Sequence, residues 1–523
     1  MKCARGQFPF GKWRQRRQKE FYQRTIQPSH ALVVAFVFPV YLTMVCLIQD
    51  GMFPFGEKCF LINDMYFQYA PFFSEFQHKL QSGQSLLYSW NIGMGINFTA
   101  LYAYYLASPL NWLLFFCPDK LIIEFMTCSI VLRTGLSGLS MAWYLRKHCQ
   151  KIDFGVAFFG IFYAMSGYMA AYNWNIMWLD CIWLFPLIVL GLERLVKEKK
   201  GMLYCITLGV SILSNYYISI MICIFMVMYF IALLILEEKM NWREFIDRCG
   251  RFMLHSLLAG GMAAVVLLPE IYALQMTAAG YIGFPKTCAS YFSMFDMLVR
   301  HMGFVEIDII SNHWPNVYCG VAVLLFFLLY LGSRQIKVKE KVVYCALLLF
   351  LFAGFTVNIL DFIWHGFHYP NSLPARQSFI YIFLILLVCY RAYMHLDVIP
   401  KRHISLAFFS ACGFIILAEK MITEEFFRFY VYYAAILFLA VYTGILFLYR
   451  KGRCYHALAV LLALTTVSLE ATINMKVTGL GTTSRSAYIE DDPAVEKFVD
   501  MISSNPEFFR LKKVPRKTKN DGA

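Results

Sequence analysis

The chain carries little charge for its length. Only 15% of its 523 residues are charged, whereas 59% are hydrophobic and 18% are aromatic. A soluble domain cannot bury this much apolar surface, so the composition excludes the ordinary soluble classes and predicts a polytopic membrane protein. The 47 basic residues outnumber the 33 acidic ones. Because Lys and Arg lie in short runs between apolar segments, they indicate membrane topology rather than a nucleic-acid partner.

The motifs of soluble catalysis are also lacking. There is no Walker loop, no GxGxxG motif after a strand, no HExxH and no GxSxG, which removes support for the usual nucleotide-binding and hydrolase chemistry. The sixteen cysteines include no CxxC pair and are expected to pack singly in apolar helices. No cleavable signal is recognisable, so the basic segment 1–30 is predicted to be a cytoplasmic tail.

Apolar runs that suit a bilayer dominate residues 31–472. Crossing roughly 30 Å of hydrocarbon takes about 20 helical residues, and on this basis the sequence predicts about 13 spans. The predicted spans are 31–48, 121–145, 154–172, 176–195, 202–214, 216–236, 252–274, 316–333, 341–360, 378–391, 404–420, 429–449 and 453–472. The fold is therefore predicted to be all-α and polytopic.

The orientation of the chain follows from its basic runs. The apolar segment 98–117 is ambiguous, because Pro109 breaks it. If this segment is re-entrant or interfacial, every basic run falls on one side, and positive charge marks the cytoplasmic side. This topology puts the N-terminus inside and the C-terminus outside. Residues 49–120 then form a large first outer loop, with an amphipathic helix over 65–81 and the re-entrant segment, and residues 275–315 form a second long outer loop.

Asp64 follows the first span and is the leading candidate for catalysis. A carboxylate at the outer membrane surface can take a proton from an acceptor hydroxyl, or hold a divalent cation near a phosphate. The alternative is that Asn63 or Asp64 caps the N-terminus of the helix predicted over 65–81.

Asp180 and Glu270 are the other acidic candidates. Asp180 lies inside its predicted span, where an unpaired carboxylate costs roughly 2.5–3.5 kcal/mol on insertion. A water-filled cavity, a cation or a basic partner must compensate for this cost. A structural ion pair with Arg133 is the alternative to a functional role. Glu270 stands at the outer end of its span, where an interfacial Glu is common.

Five polar residues near the outer face are candidates for binding substrate. His368, Asn371 and Arg376 lie in a proline-stiffened segment and offer donors that suit a phosphate or a sugar hydroxyl. The alternative for Arg376 is that it snorkels at the head of the next helix. Asn215 and Tyr216 lie in a tight hairpin that is predicted to reach the same face.

Seven stretches of the chain, in order, cover most of residues 30–390. They are NDMYFQYAPFF, GQSLLYSWNIGMGINF with YYLASPLNWL, SGYMAAYNWNIMWLDCIWLFPLIVLGLE, SNYYISIMICIFMVMYF, LLPEIYAL, PNVYCGVAVL and HYPNSLPARQSF. In these stretches the sequence resembles the YfhO-type bacterial membrane proteins.

The resemblance implies a glycosyltransferase of the GT-C class in the bacterial plasma membrane. Such enzymes take sugar from a polyprenyl-phosphate donor and act on the extracytoplasmic face, and the implied acceptor is a teichoic acid or related surface polymer. The resemblance also implies that Asp64 is catalytic, with Asp180 serving a metal or the acceptor and Arg376 serving the phosphate. A divalent cation, Mg²⁺ or Mn²⁺, is left open as a cofactor, with Asp64 and Asp180 as its ligands.

The chain departs from this family pattern after its last span. Residues 473–523 resemble the opening of the family's large extracytoplasmic domain, and the sequence then stops. Two other functions therefore stay open. One is a transporter or flippase of lipid-linked sugars or polymer, and the other is a non-catalytic assembly protein.

Overall fold

The computed structural model describes residues 28–150, 153–277, 283–309, 313–370, 372–422 and 427–503. Its α-helices are α1 (Pro28–Gln49), α2 (Ala70–Ser82), α3 (Phe98–Leu101), α4 (Ile122–Cys149), α5 (Gly155–Ala164), α6 (Gly167–Tyr172), α7 (Leu179–Glu198), α8 (Met202–Ser214), α9 (Tyr216–Leu236), α10 (Trp242–Met262), α11 (Ala264–Leu274), α12 (Met294–Val299), α13 (Ala322–Gly332), α14 (Val338–Thr356), α15 (Asn358–Trp364), α16 (Ser378–Tyr393), α17 (Lys401–Met421), α18 (Phe429–Tyr449), α19 (His456–Thr478), α20 (Arg485–Ile489) and α21 (Asp492–Ser503).

The remaining regular elements of the described residues are short. They are two π-helices (Met65–Tyr69 and Tyr102–Leu106), three 3₁₀-helices (Pro109–Phe116, Asp119–Leu121 and Arg453–Tyr455) and four strands, β1 (Lys58–Cys59), β2 (Tyr88–Ser89), β3 (Ile96–Asn97) and β4 (Thr483–Ser484). The strands form two antiparallel pairs, β1 with β4 and β2 with β3.

The prediction of an all-α, polytopic protein is confirmed. Within the described residues, seven helical segments are long and apolar enough to cross a membrane, and the pair α10 and α11, bent by 77°, makes an eighth if it is one span. Each of the 13 predicted spans overlaps a helix, but several of these helices are shorter than a bilayer crossing requires, as α8, α13 and α16 are. The orientation of the termini stays a prediction.

Helix α2 is covered by the chain that follows it. The Glu75 carboxylate accepts hydrogen bonds from Ser89 Oγ at 2.7 Å and from Asn91 Nδ2 at 3.0 Å. On the same helix, Gln77 Nε2 donates to the Leu114 carbonyl at 3.3 Å. Part of the polar surface of the predicted amphipathic helix is thus buried against protein, and it holds the segment after α2 in place.

Close packing of α1 against α4 fixes the two ends of the loop between them. A Cβ atom at Gly138 would lie 2.2 Å from the Ala35 carbonyl oxygen. Only glycine therefore allows the two backbones to approach this closely, as small residues do between membrane helices. The loop that carries Asp64 starts and ends on this rigid pair.

Candidate functional site

Asp64 stands at a sharp turn of the backbone. Asn63, just before it, has a φ of 47°, which is the left-handed region that Asn tolerates better than most residues. The Asp64 side chain makes no capping hydrogen bond to the π-helix Met65–Tyr69, so the capping alternative is not observed. The carboxyl group is half-buried, and this burial raises the pKa of Asp64 above its ordinary value.

Tyrosines from both π-helices pack together, and Asp64 raises the pKa of each of them. The ring centroids of Tyr69 and Tyr105 are 5.5 Å apart, and those of Tyr104 and Tyr105 are 4.8 Å apart. The Tyr69 hydroxyl donates to Asn175 Oδ1 at 2.9 Å. A π-helix widens the helical turn and is often found at functional sites, and here the two π-helices bring three phenols together.

Asn215 and Tyr216 connect this cluster to the membrane helices. Asn215 Oδ1 accepts from Ile218 N at 2.9 Å and so caps α9, while its Nδ2 donates to the Tyr104 carbonyl at 3.1 Å. Tyr216 donates its hydroxyl to Glu270 Oε1 at 2.6 Å. The structure therefore places Asn215 as a support for Tyr104, and Tyr216 as the partner of Glu270.

Arg376 is held over aromatic rings by its own loop. Its guanidinium donates from Nε to the Leu373 carbonyl and from Nη2 to the Ser372 carbonyl, each at 3.0 Å. The guanidinium carbon lies 5.2 Å from the centroid of Trp178 and 5.1 Å from that of Tyr217, within the range of a cation–π interaction. Arg376 is thus fixed in position, whereas a snorkelling side chain would extend freely to the interface.

Three charged candidates lie around one phenol, that of Tyr104. Burial raises the pKa of Tyr104, Arg376 lowers it, and Asp64 and Glu270 raise it further. Contacts through two neighbouring tyrosines agree with this placement. The ring centroid of Tyr104 lies 5.9 Å from that of Tyr216, which donates to Glu270. It lies 6.5 Å from that of Tyr217, whose centroid is 5.1 Å from the Arg376 guanidinium carbon. The structure therefore brings together Asp64, Glu270 and Arg376, which the sequence had assigned from three distant segments.

Buried polar atoms beside this cluster have no hydrogen-bond partner within the described residues. Trp178 Nε1 and Asn175 Nδ2 are donors of this kind, and Glu270 Oε2 is an acceptor. All three residues are at least nine-tenths buried. Unpaired buried polar groups are rare and often mark a functional site or a bound molecule.

Asp180 forms an ion pair with Arg133, which the sequence offered as the alternative to a functional role. Arg133 donates from Nε to Asp180 Oδ2 at 3.0 Å, and Trp183 Nε1 donates to Oδ1 at 3.0 Å. Both carboxylate oxygens are therefore engaged. Arg133 Nη2 also donates to Ser108 Oγ at 2.8 Å, so the pair joins α4 and α7 to the segment 98–117.

The remaining candidates contribute less to the cluster. His368 is half-buried and makes no hydrogen bond or ion pair with the described residues. Asn371 lies outside the described residues. No three His, Cys, Asp or Glu side chains gather as a metal site anywhere in the described part of the chain, and Asp64 and Asp180 are not paired with each other.

The sequence interpretation missed Tyr69, Tyr104, Trp178 and Asn175. Their signal was visible as three runs rich in aromatic residues, MYFQY, YAYYL and NWNIMW. Aromatic residues are common at membrane interfaces, however. Composition alone therefore does not separate a binding site from an aromatic belt.

Comparisons with known proteins give the following matches. The family described as "Bacterial membrane protein YfhO" matches residues 35–523. "Uncharacterized protein YfhO" of Bacillus subtilis (strain 168) is 23% identical over 210 residues, which are 35% of this chain and 23% of that protein. The match thus spans less than a quarter of that relative.

Two solved structures are also similar. ArnT from Cupriavidus metallidurans bound to undecaprenyl phosphate matches with a TM-score of 0.44 and 13% identity, over 94% of this chain and 82% of that one. Its apo state matches with a TM-score of 0.43 and 12% identity, over 93% and 83%. Because the family match covers nearly all of the sequence, the chain belongs to the YfhO family of bacterial membrane proteins.

Proposed function

We propose that this protein is a membrane glycosyltransferase. It moves a sugar from a polyprenyl-phosphate donor to a hydroxyl of a cell-surface polymer of the teichoic acid type, on the extracytoplasmic face. One observation carries the proposal: a guanidinium fixed by its loop and a carboxylate, those of Arg376 and Glu270, contact tyrosines that pack on Tyr104. A second carboxylate, that of Asp64, raises the pKa of the same Tyr104 phenol. Transfer of a sugar from a phosphate needs both a group that stabilises the leaving phosphate and a group that accepts a proton.

Arg376 and its neighbours suit the phosphate. The guanidinium is permanently charged and its planar fork fits phosphate oxygens. Beside it, Trp178 Nε1 and Asn175 Nδ2 are donors without a partner among the described residues. Hydrogen-bond donors that lack an acceptor favour the binding of an anion at this place. In the reaction, the bond between the sugar's anomeric carbon and the phosphate oxygen breaks, and Arg376 stabilises the charge left on the lipid phosphate.

Asp64 suits the role of general base. Its carboxylate has no hydrogen bond or ion pair with the described residues, so it is open to a substrate hydroxyl. Burial raises its pKa, which makes the carboxylate a stronger base than an exposed Asp. As the acceptor oxygen bonds to the anomeric carbon, its proton passes to Asp64. Glu270, with one oxygen bound by Tyr216 and the other unpaired, supplies a further acceptor for sugar hydroxyls.

A divalent cation does not fit the donor set that the structure shows. Asp180, one of its two candidate ligands, already accepts from Arg133 and Trp183 on separate oxygens. Of these two candidate ligands, only Asp64 would remain free to bind the metal. Divalent metals in enzymes are normally held by several ligands. We therefore assign the stabilisation of the leaving phosphate to Arg376 and not to a metal.

This assignment gives a prediction about chelators. Sugar transfer by the purified protein should be unchanged when EDTA replaces added Mg²⁺ or Mn²⁺, because Arg376 supplies the charge that a metal would supply. The measurement is transfer of radiolabelled sugar from the lipid donor with and without EDTA. Loss of transfer in EDTA, restored by Mn²⁺, would show that transfer depends on a bound metal.

The proposed function is tested by replacing the base. The chain is expressed in a bacterial strain that lacks its own copy, and sugar on the surface polymer is measured for the parent, for Asp64→Asn and for Asp119→Asn. Asp119 is an exposed acid in the same loop and serves as the matched control. General base catalysis contributes about 10²–10⁴-fold, so Asp64→Asn should lose nearly all incorporation and Asp119→Asn none.

Two outcomes would overturn the proposal. If Asp64→Asn incorporates sugar as well as the parent does, Asp64 is not the base. If the parent incorporates none but moves a fluorescent lipid-linked sugar across vesicle membranes, the protein is a transporter of the lipid-linked sugar.

A further inference from the structure

The chain after the last span returns to the loop that carries Asp64. We call residues 479–489 the return segment. Its strand β4 pairs antiparallel with β1, with Lys58 opposite Ser484 and Cys59 opposite Thr483. β1 ends five residues before Asp64, so the return segment contacts the chain immediately upstream of the proposed base.

Side chains strengthen this contact. Thr483 Oγ1 donates to the Leu61 carbonyl at 2.9 Å and lies 3.3 Å from Cys59 Sγ. The Arg485 backbone N–H donates to the Glu57 carbonyl at 3.0 Å. These bonds hold residues 57–61, which lead toward Asp64.

Arg485 connects the return segment to the far end of the same loop. Its Nε donates to Glu124 Oε1 at 2.6 Å, and its guanidinium lies 4.4 Å from the ring centroid of Phe53. Both members of the ion pair are largely buried, where a pair is less screened than at the surface. Arg485 thus joins Phe53, at the start of the first outer loop, to Glu124 in the first turn of α4, just after the loop ends.

Tyr488 reaches the residues that follow Asp64. Its ring is edge-on to that of Tyr66, with centroids 4.8 Å apart. The return segment therefore contacts the chain on both sides of Asp64. Asp64 itself has no side-chain bond to a described residue, and Asn63 has a left-handed backbone. The position of the carboxylate is consequently set by its backbone, and the backbone is held by the return segment.

We infer that the return segment positions Asp64, with Arg485 and Tyr488 as positioning residues for the proposed transfer reaction. This inference rests on the proposed function. A carboxylate displaced by about 1 Å loses about 10²-fold in rate. Displacement of the return segment should thus lower kcat, while the KM for the lipid donor, which Arg376 governs, stays the same.

The first test compares Arg485→Ala, Arg485→Lys and Tyr488→Ala with Arg194→Ala. Arg194 belongs to an exposed ion pair with Glu198 and serves as the control. We expect a tenfold to hundredfold fall in kcat for Arg485→Ala and Tyr488→Ala, an unchanged donor KM, and partial recovery in Arg485→Lys. Unchanged kcat in both alanine variants would overturn the inference.

A disulfide supplies the rescue experiment. In Thr483→Cys, the new thiol faces Cys59 across the β1–β4 pair and should form a disulfide on oxidation with copper phenanthroline, which takes up the two electrons. Mass spectrometry of the linked peptides measures its formation. In the double variant Thr483→Cys/Arg485→Ala, oxidation should restore kcat and reduction should lower it again. A formed disulfide that restores nothing would contradict a positioning role.

A second readout does not need transfer activity. Asp64→Cys, in a chain whose other cysteines are replaced by alanine, is labelled with a membrane-impermeant maleimide. Adding Arg485→Ala should change the labelling rate at position 64 severalfold, and adding Arg194→Ala should not. If the parent transfers no sugar, the proposed function fails, whereas an unchanged labelling rate makes the positioning role fail.

Discussion

The carboxyl group of Asp64 is half-buried and has no hydrogen-bond or ion-pair partner among the described residues. Such a group costs stability when it is charged, because water no longer solvates it fully and no donor replaces the water. A structural residue normally contributes to stability, whereas a catalytic residue often reduces it. The pH dependence of unfolding therefore distinguishes the two roles.

Asp64→Asn is predicted to stabilise the fold at neutral pH. The raised pKa of Asp64 means that the folded state takes up a proton more readily than the unfolded state. The contribution of Asp64 to stability is fully present at low pH and is lost as the pH rises through the raised value. The advantage of the Asn variant should therefore shrink as the pH falls.

Thermal unfolding in detergent, measured between about pH 4 and pH 8 around the ordinary carboxyl range, checks this prediction. Asp119→Asn is again the control, since its side chain is exposed. An Asn variant less stable than the parent at neutral pH would show that Asp64 holds the loop together and that its role is structural.

Arg376 is predicted to be irreplaceable by lysine. Lysine keeps the charge but loses the planar fork, and with it the hydrogen bonds to two loop carbonyls and the flat contact with Trp178. Removing one donor from a developing charge costs about 10²–10³ in kcat, and we expect Arg376→Lys to approach this loss and Arg376→Gln to reach it.

Steady-state transfer with purified lipid donor measures the effect, and Arg194→Lys, at an exposed site, is the control. A variant with lysine that works as well as the parent would mean that Arg376 acts only as a charge at the membrane surface.

At the scale of helices, the buried ion pair of Arg133 and Asp180 joins α4 to α7 and is expected to affect the stability of the fold. Removing one partner leaves a buried charge and is predicted to destabilise the fold by about 3–5 kcal/mol, whereas replacing both by leucine should recover much of the loss. Asp180→Leu, Arg133→Leu and the double variant, followed by thermal unfolding, test this. If the double variant folds but transfers no sugar, Asp180 also binds substrate as the resemblance implies. If it folds and transfers, its role is structural.

The sequence predicted helices well and their interruptions poorly. Uninterrupted apolar runs such as that of α9 become helices because a bilayer leaves the backbone no other way to satisfy its hydrogen bonds. The 77° bend between Met262 and Ala264 and the π-helix at Tyr102–Leu106 depend on neighbouring helices, which hydropathy does not record.

The same limit applies to the candidate site. Asp64, Glu270 and Arg376 were identified because charge is scarce in an apolar chain, so each charged residue needs a reason. Tyr104, the residue around which they gather, was not identified, since tyrosine is common in this sequence. The pairing of β4 with β1 could not be predicted either, because two-residue strands leave no periodic pattern.

For the whole molecule, the orientation in the membrane is predicted from positive charge and can be measured with native cysteines. Cys288 and Cys454 are both exposed, and the predicted topology places the first in an outer loop and the second at the cytoplasmic end of the last predicted span. Two variants that each keep only one of these cysteines should therefore differ in their labelling by a maleimide. An impermeant maleimide should label Cys288 in intact cells, and Cys454 only after the membrane is permeabilised. The reverse pattern would invert the topology and put the Asp64 cluster on the cytoplasmic side.

The ion pair between α4 and α7 also has a consequence for biogenesis. Arg133 and Asp180 are 47 residues apart, so α4 leaves the ribosome well before its partner does. An unpaired arginine or aspartate at the centre of a span costs about 2.5–3.5 kcal/mol during insertion, and α4 would meet this cost alone. Until α7 is made, Arg133 has polar partners such as Ser108 but no acid to neutralise its charge. We therefore expect α4 to gain its full stability in the membrane only when α7 supplies Asp180.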